Sequence, residues 1–391
     1  MPFLRGSLAF ERFRVTGFED NSFSQDHIEL LAKYAAGKLE SHSIENVLTG
    51  FLGGHHLFDQ DFDLGKNLIN DAVHCGVRVD SNQIPAAIRA AWLQMELAGL
   101  ARDSPSGRPT KAQRKEAKEA VEQRCEVEAA SGKYRKMQSF PILWDHGNEV
   151  LYFGGSVGTA SAFCIDLVER TFNVELRRMG AVSVAKAWAI DAEKFGQLDD
   201  LTPAPFHPTH THGQLPWSNE HSDSPDFLGN EFLLWLWWKL ENESDTFDLE
   251  GGSEVTAMLS KTLTLECPAG ESGKETITSE SPVQLPEAMQ AIRSGKLPRK
   301  TGMTIVRDGR CFDLVLQAET LAISGAKINL DEEEDFDDED RIDAIRTLSE
   351  TVDQMLVTYC ALRCDAESWH PTHEKICQWL DVRPDRIQKA A

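Results

Sequence analysis

The sequence predicts an α+β fold built from mixed antiparallel sheets and helices. Residues 7–15 (SLAFERFRV) alternate apolar and polar side chains with period two, as a half-buried strand does. Two apolar runs, 140–144 and 149–153, flank a short polar turn, which is typical of an antiparallel hairpin. Residues 160–172 instead carry apolar side chains at helical spacing. Strands, hairpins and amphipathic helices in one chain indicate the α+β class.

Length and composition suggest more than one structural unit. The chain has 391 residues, of which 41% are hydrophobic and 26% charged, so it can bury a sizeable core. Residues 199–226 are rich in Pro, His, Ser and Asp and show no periodicity. We interpret this stretch as a linker between an N-terminal α+β half, 1–198, and a C-terminal α+β half, 227–391.

The remaining elements follow from periodicity, capping residues and breakers. In the N-terminal half the sequence predicts helices at 24–39, 85–100 and 111–128, and strands at 76–80 and 173–177. In the C-terminal half it predicts helices at 229–240 and 285–294, strands at 255–265, 302–307 and 311–317, and two helices after an acidic run. Thr110 is the expected N-cap of the helix that begins at Lys111.

Charge and hydropathy exclude several classes of protein. Lys plus Arg total 40 and Asp plus Glu total 63, a formal charge of −23, which argues against a generally basic nucleic-acid coat or a polybasic membrane binder. The apolar run at 232–238 is far shorter than the roughly 20 residues of a membrane span. Charges at Arg5, Glu11 and Arg12 argue against a signal peptide. Eight scattered Cys fit a reduced, intracellular chain.

One helix concentrates positive charge. Lys111, Arg114, Lys115 and Lys118 recur at i, i+3, i+4 and i+7 and so share a face. Residues 102–136 contain ten basic and six acidic residues, a local +4 in a chain of −23. Such a face suits the phosphate backbone of DNA, because neutralising phosphates releases counterions. The alternative is a solvated surface helix held by Glu–Lys pairs.

A second basic cluster lies in the C-terminal half. Pro298 argues against a regular helix here, so we expect a loop that leads into a strand. The alternative is again a solvated surface loop. The cluster comprises Arg293, Lys296, Arg299 and Lys300, followed by Arg307 and Arg310.

Other candidate sites have weaker patterns. The run at 331–340 has nine acids in ten residues but lacks the Gly of a calcium loop, so we expect a loosely ordered, solvated loop.

The three Trp at 235, 237 and 238 could stack bases, but their helix is apolar all round, which favours burial. Two groups have zinc-ligand residue types without zinc-site spacing. They are Cys360, Cys364, His370, His373 and Cys377 in the tail, and His207, His210 and His212 in the linker.

Catalytic motifs are missing from the sequence. The stretch 154–161 (GGSVGTAS) lacks the Lys of a phosphate-binding loop, and neither a nucleophile elbow, a zinc-protease motif nor a dinucleotide fingerprint occurs. We therefore expect a protein that is not an enzyme and needs no cofactor or metal. The alternative from another class is a metal-dependent nuclease or phosphodiesterase that uses clustered carboxylates.

Several segments, taken in order, resemble the bacterial recombination-associated protein RdgC family, in particular its longer members. These segments are FERFRV, DFDLGKNL, GVRVDSNQIPAAI, GRPTKAQRKEAKEAV, ILWDHGNEVLYFGG, LVERTFNVEL, LGNEFLLWLWWK, AIRSGKLPRK and LAISGAKI. The resemblance covers most of the chain and is weakest in the linker and the acidic run. Order and spacing carry it, since no single segment is specific.

The resemblance implies a non-catalytic DNA-binding protein of the cytoplasm and nucleoid. Family members are ring-shaped homodimers of crescent subunits, with basic side chains lining a central hole. They bind single- and double-stranded DNA with little sequence preference and restrain the RecA-type recombinase, with no membrane partner. A further alternative is an acidic interaction factor of the recombination machinery that does not bind DNA.

The resemblance also implies which residues contact DNA. The family's Leu-Leu-Pro-Arg-Ala-Phe-like segment, which helps to close the ring, is replaced here by EAASGKYRKM (128–137), where basic character persists. Lys274 falls in a stretch that corresponds to a protruding finger. The expected DNA-binding residues are Arg108, Lys111, Arg114, Lys115, Lys118, Lys133, Arg135, Lys274, Lys296, Arg299 and Lys300.

Overall fold

The computed structural model describes most of the chain. The described residues are 3–38, 42–44, 47–102, 107–155, 159–207, 227–249, 252–267, 273–329 and 337–380. Most of the predicted linker lies outside them, and so do residues 331–336 of the acidic run. Within these ranges the fold is mixed α and β, as predicted, with eleven α-helices and a large antiparallel sheet.

The first half of the chain supplies eight strands and seven helices within the described ranges. The strands are β1 (Leu8–Thr16), β2 (His42–Ile44), β3 (Val47–Leu52), β4 (Leu68–Ile69), β5 (Ala72–Ser81), β6 (Lys136–Asp145), β7 (Val150–Phe153) and β8 (Glu175–Met179). The helices are α1 (Gln25–Lys33), α2 (Leu64–Asn67), α3 (Ala86–Arg102), α4 (Lys111–Ala130), α5 (Thr159–Phe172), α6 (Ala181–Asp191) and α7 (Phe195–Asp199).

The second half supplies six strands and four helices in the part described. The strands are β9 (Thr246–Asp248), β10 (Glu254–Glu266), β11 (Lys274–Thr278), β12 (Leu297–Arg307), β13 (Arg310–Gln317) and β14 (Ile323–Asn329). The helices are α8 (Leu228–Asn242), α9 (Pro286–Arg293), α10 (Asp338–Cys364) and α11 (Ala366–Trp379).

One sheet runs through both predicted halves of the chain. Its strand order is β11-β10-β12-β13-β14-β1-β7-β6-β5-β3-β2. The N-terminal end of β1 pairs with β14, with Leu8 opposite Ala326. Its C-terminal end pairs with β7 on one edge and with β8 on the other. The first strand therefore joins strands from opposite ends of the sequence.

Two large cores lie on opposite faces of β1. Leu8 and Phe10 belong to the larger core, which α6, α8 and α10 also fill. Phe13 and Val15 belong to the second core, under α1 and α5. Because successive strand residues point to opposite faces, residues of even and odd number enter different cores.

The Trp-rich helix α8 is buried, as its all-round apolar sequence predicts. Trp235, Trp237 and Trp238 are at most 3% exposed. The helix also approaches the sheet very closely, because a Cβ on Gly229 would lie 2.0 Å from the carbonyl oxygen of Ala318. The Trp rings therefore contribute packing and offer no surface for stacking bases.

The basic cluster around Pro298 differs from the loop that the sequence predicts. Strand β12 begins at Leu297, so Pro298 lies inside a strand. Pro298 faces Leu265 next to a register shift in β10, where the ladder is irregular. A bulge of this kind tolerates a residue that has no N–H group.

Helix α10 fastens the two ends of the chain together with buried ion pairs. Arg12, 3% exposed, donates two hydrogen bonds of 2.7 and 2.6 Å to the Asp353 carboxylate. Burial alone would lower the pKa of Arg12, but the charge of Asp353, its hydrogen bonds and the nearby Tyr152 together outweigh burial and raise the pKa. Arg346 also donates two hydrogen bonds, of 2.8 and 2.9 Å, to the fully buried carboxylate of Asp145.

Among the helices of the described ranges, none combines the length and the apolar composition that a membrane span requires.

Replacing Asp353 by Ala should lower the free energy of unfolding by about 3–5 kcal/mol, because Arg12 would remain buried without a counter-charge. Denaturant unfolding measures the change. The matched control is Glu350→Ala on the same helix. The Glu350 side chain is 56% exposed and Asp308 still pairs with Arg307 in the variant, so the loss should be less than about 1 kcal/mol. Equal losses from the two variants would contradict the role given to the buried pair.

Buried His74 should make stability depend on pH. It is 1% exposed, its Nε2 has no hydrogen-bond partner among the described residues, and burial lowers its pKa from 6.5 to about 4. As the pH falls from 6.5 to 4, His74 becomes protonated in the unfolded chain but stays largely neutral in the folded chain. The free energy of unfolding therefore falls by about 3 kcal/mol over this range. Above pH 6.5 the group contributes nothing.

The measurement is urea unfolding at pH 7 and pH 4 for the wild type and for His74→Gln. The variant lacks the titrating group, so it should lose about 3 kcal/mol less than the wild type over that range. An identical pH dependence would show that His74 is not the source.

Candidate nucleic-acid interface

Helices α3 and α4 form a hairpin that is inserted between two paired strands. Strands β5 and β6 pair from Ala72 opposite Asp145 to Ser81 opposite Lys136. The helical hairpin continues from the Ser81 end of this ladder. Helix α4 has 20 residues, so it is about 30 Å long.

The hairpin has a small core of its own. Trp92 of α3 and Val121 and Cys125 of α4 are buried together, apart from the two large cores. The guanidinium of Arg124 lies 4.3 Å from the centre of the Trp92 ring, a cation–π contact. Tyr134 packs on the same cluster from the segment that follows α4. The hairpin is thus held mainly by contacts between its own two helices.

Helix α4 begins where the sequence predicts. The Thr110 hydroxyl accepts a hydrogen bond from the N–H of Gln113 at 3.3 Å. The Gln113 side chain in turn accepts from the N–H of Thr110 at 2.9 Å. This reciprocal capping box fixes the first turn and thereby the positions of the cations in it.

The cations in the first half of α4 are exposed. Among the described residues, no carboxylate pairs with Lys111, Arg114 or Lys118. Lys115 pairs with Glu119 at 3.4 Å, but both side chains are more than half exposed, so the pair is worth little. The face predicted from the i, i+3, i+4, i+7 spacing is therefore present and open to solvent.

Charge along α4 is arranged against the helix dipole. Residues 111–118 contain four basic residues and one acidic residue, whereas 119–130 contain one basic and four acidic residues. The N-terminus of a helix already has a partial positive charge, and each cation there is unfavourable by about 0.3–1 kcal/mol. The first turn of α4 has no acidic residue. This arrangement weakens the helix and favours the binding of an anion.

The end of α3 adds to the same positive region. We call Arg102 together with residues 107–118 the hairpin tip. The tip contains six basic residues and one acidic residue; with Asp103, which lies outside the described residues, the whole stretch 102–118 has a net charge of +4. Arg102 in the last turn of α3 is exposed and was not among the residues that the resemblance singles out. The antiparallel pairing of the two helices brings it next to the start of α4.

At the base of the hairpin the predicted cations are paired with carboxylates. Arg135 donates to Asp80, which is 2% exposed and also lies 3.0 Å from Nε of Arg78. Lys133 lies 3.7 Å from Glu128. Arg135 therefore ties the hairpin to β5, whereas Lys133 is 63% exposed and its pair with Glu128 lies within the hairpin and is worth little.

Two of the predicted cations of the C-terminal half are neutralised. Lys296 is 3% exposed, and its ammonium pairs with Glu275. Arg299 lies between Glu266, at 3.5 Å, and Glu319, at 3.0 Å. The sequence shows none of these pairings, because the partners come from β10, β11 and the end of β13. We leave Lys296 and Arg299 out of the contact surface.

Lys274 and Lys300 are exposed. Lys274 begins β11 opposite Glu266, and Lys300 lies in β12 between Thr264 and Gln317. They are isolated positive charges on the sheet, without the clustering seen at the hairpin tip.

Of the Cys and His residues of the tail, Cys360 and Cys377 are buried in the helical layer, whereas His370 is exposed. Cys360 is fully buried, which raises its pKa. The Cys377 sulfur lies 3.6 Å from Nε2 of His373. No group of three His, Cys, Asp or Glu side chains within the described ranges could hold a metal ion. His207 is described and half-buried, whereas His210 and His212 lie outside the described residues.

The last residues of the acidic run form the first turn of helix α10. Asp337 is the N-cap of α10 and accepts from the N–H of Asp340 at 2.9 Å. Asp338, Glu339 and Asp340 form the first turn, where carboxylates favour the helix dipole. The predicted solvated loop therefore ends by residue 337, and its earlier residues lie outside the described part.

Comparisons with known proteins give no family assignment. No protein-family model matches the chain, and no curated protein matches it.

Replacing Trp92 by Ala should unfold the hairpin locally, because it removes the largest member of a three-residue core. Hydrogen exchange should become much faster at amides of α3 and α4, while amides of β12 and β13 keep their protection. The control is Gln94→Ala, whose side chain is exposed on the same helix and should change nothing. Equal loss of protection throughout the chain would contradict an independent hairpin core.

Proposed function

We propose that this protein binds DNA without sequence specificity through the hairpin tip and is not an enzyme. The observation that carries the proposal is the segregation of cations at the N-terminal half of α4, where they oppose the helix dipole. Phosphate groups would relieve that repulsion, since a helix N-terminus and clustered Lys and Arg both attract anions. Phosphate contacts fix position without reading bases, so no sequence preference is expected.

The net negative charge of the rest of the chain affects how strongly the tip should bind DNA. Because the rest of the chain has a net negative charge, DNA should approach most favourably at the tip. Binding should therefore be modest in affinity and steeply dependent on salt. If the tip's six cations each contact a phosphate, log affinity should fall against log salt with a slope of about −5.

We further propose that the protein acts as a homodimer that restrains a RecA-type recombinase in the nucleoid. The order of the sequence segments supports this proposal. Two apolar side chains of the hairpin, Met95 and Val127, are 65% and 72% exposed, which suits a contact with a second copy.

The test is a salt-titrated binding assay with the variant Lys111→Ala, Arg114→Ala, Lys115→Ala, Lys118→Ala. Losing four phosphate contacts should make the salt slope shallower by about 3.5 and weaken binding to every duplex sequence alike. A charge-matched control is Lys33→Ala, Arg293→Ala, Lys327→Ala and Lys375→Ala, which removes four exposed cations far from the tip along the chain.

The outcomes separate the hypotheses. Equal weakening by the two variants would show that net charge, not the tip, controls binding. Absence of wild-type binding at low salt would overturn the proposal and favour an acidic interaction factor. Cleavage of labelled DNA with magnesium or manganese, abolished by chelator, would favour the nuclease. The mass in solution tests the dimer, and a monomer at all concentrations would contradict it.

A further inference from the structure

The face of α4 that carries the tip cations changes sign halfway along the helix. Steps of three and four residues keep side chains on one face, so Glu119 follows Lys115 and Glu122 follows Lys118. Glu126 lies about one turn beyond Glu122 on the same face. All three carboxylates are exposed. We call Glu119, Glu122 and Glu126 the acidic row.

The cations and the acidic row occupy similar lengths of this face. At about 1.5 Å per residue, residues 111–118 cover about 10 Å of the helix axis, and residues 119–126 cover about 10 Å more. Duplex DNA carries about one negative charge per 1.7 Å of its own axis. A backbone that lay along the whole face would therefore bring phosphates beside the acidic row, within the Debye length of about 8 Å at physiological salt.

Two basic side chains lie near the second half of α4, but they do not cancel the acidic row. Arg124 packs on the Trp92 ring at 4.3 Å, and two residues of separation from Glu122 or Glu126 place it on a different face. Arg89 of α3 lies 3.3 Å from Glu122, and both side chains are more than half exposed, so the pair is weak. It compensates at most one of three carboxylates, and the row stays negative.

We propose that the acidic row confines DNA to the hairpin tip, by repelling a backbone that would otherwise follow the face of α4 beyond Lys118. The inference rests on the proposed function and adds specificity-determining residues to it. A contact of about two helical turns neutralises few phosphates, so binding stays modest and reversible. The confinement also keeps α4 from lying along the major groove, where a helix reads base edges.

Photo-crosslinking measures how far DNA extends along α4. A photo-reactive amino acid replaces either Ala112, beside the cations, or Gln123, beside the acidic row. Both positions are exposed, and they lie about three turns apart on the same face. Wild-type protein should crosslink to a labelled duplex about tenfold more from position 112 than from position 123. In the variant Glu122→Lys, Glu126→Lys, attraction replaces repulsion, so crosslinking from the two positions should become similar.

Salt titration gives an independent readout of the same double variant. Two added phosphate contacts should make the slope of log affinity against log salt steeper by about 2. Raising salt from about 50 to about 200 mM should therefore weaken the variant about tenfold more than the wild type. The matched control is Glu29→Lys, Glu374→Lys, which changes the net charge equally at exposed helix positions outside the hairpin. Glu374, like Glu122, lies beside a basic side chain, and the control should keep the wild-type slope.

Thermal unfolding of each variant checks that the hairpin remains folded. Two lysines beside Arg89 could destabilise it by like-charge repulsion. A second variant, Glu122→Gln, Glu126→Gln, removes the negative charge without adding a positive one. It should also bring crosslinking from position 123 close to that from position 112.

The outcomes separate the confinement from the proposed function. Equal crosslinking from both positions of wild-type protein would show that DNA follows the whole face, which overturns the confinement and leaves binding at the tip standing. Equal salt slopes for the folded Lys variant and its control would do the same. Duplex binding without crosslinking from position 112 would instead contradict binding at the tip. If wild-type protein binds no DNA at low salt, the proposed function fails and the confinement fails with it.

Discussion

The pairing of β1 with strands from both ends of the sequence is the constraint on which the rest of the structure depends. One strand completes the β10–β14 sheet through Leu8 and Phe10 and the N-terminal sheet through residues 11–16. Its alternating side chains enter two different cores. Arg12, midway along it, must then be neutralised inside the protein, and Asp353 of α10 does so. Helix α10 is thereby fixed across the junction of the two halves.

That constraint also places the candidate interface. Strands β5 and β6 lie near the other side of the sheet, four and three strands beyond β14. Their long ladder ends where α3 and α4 begin, and the helical hairpin has its own core. It presents its cations away from the two large cores, where carboxylates pair with most buried cations. Arg12, Arg78, Arg346 and Arg363 all have such partners, among the described residues. Lys111, Arg114 and Lys118, which pair with no carboxylate among the described residues, therefore cluster at the tip.

Local signals in the sequence predict many elements accurately. The capping pair Thr110 and Gln113 marks the start of α4, and Pro85 precedes α3. Longer-range effects explain the differences. Helix α1 ends at Lys33, although its pattern extends to residue 39, because Ala35 and Ala36 turn to bridge Phe51 of β3. Pro298 lies in a strand only because β10 is irregular opposite it.

The sequence by itself determines the α+β class, the burial of the Trp-rich helix and the cationic face of α4, because each depends on spacing within one element. Only the tertiary structure decides which cations stay available. Lys296 and Arg135 look as basic in the sequence as Lys111 does, but Glu275 and Asp80 approach them from other strands. The rings of Phe18, Trp144 and His146 likewise pack together although Phe18 is more than 120 residues from the other two in the chain. Pairing between distant strands creates both features, and no local pattern encodes it.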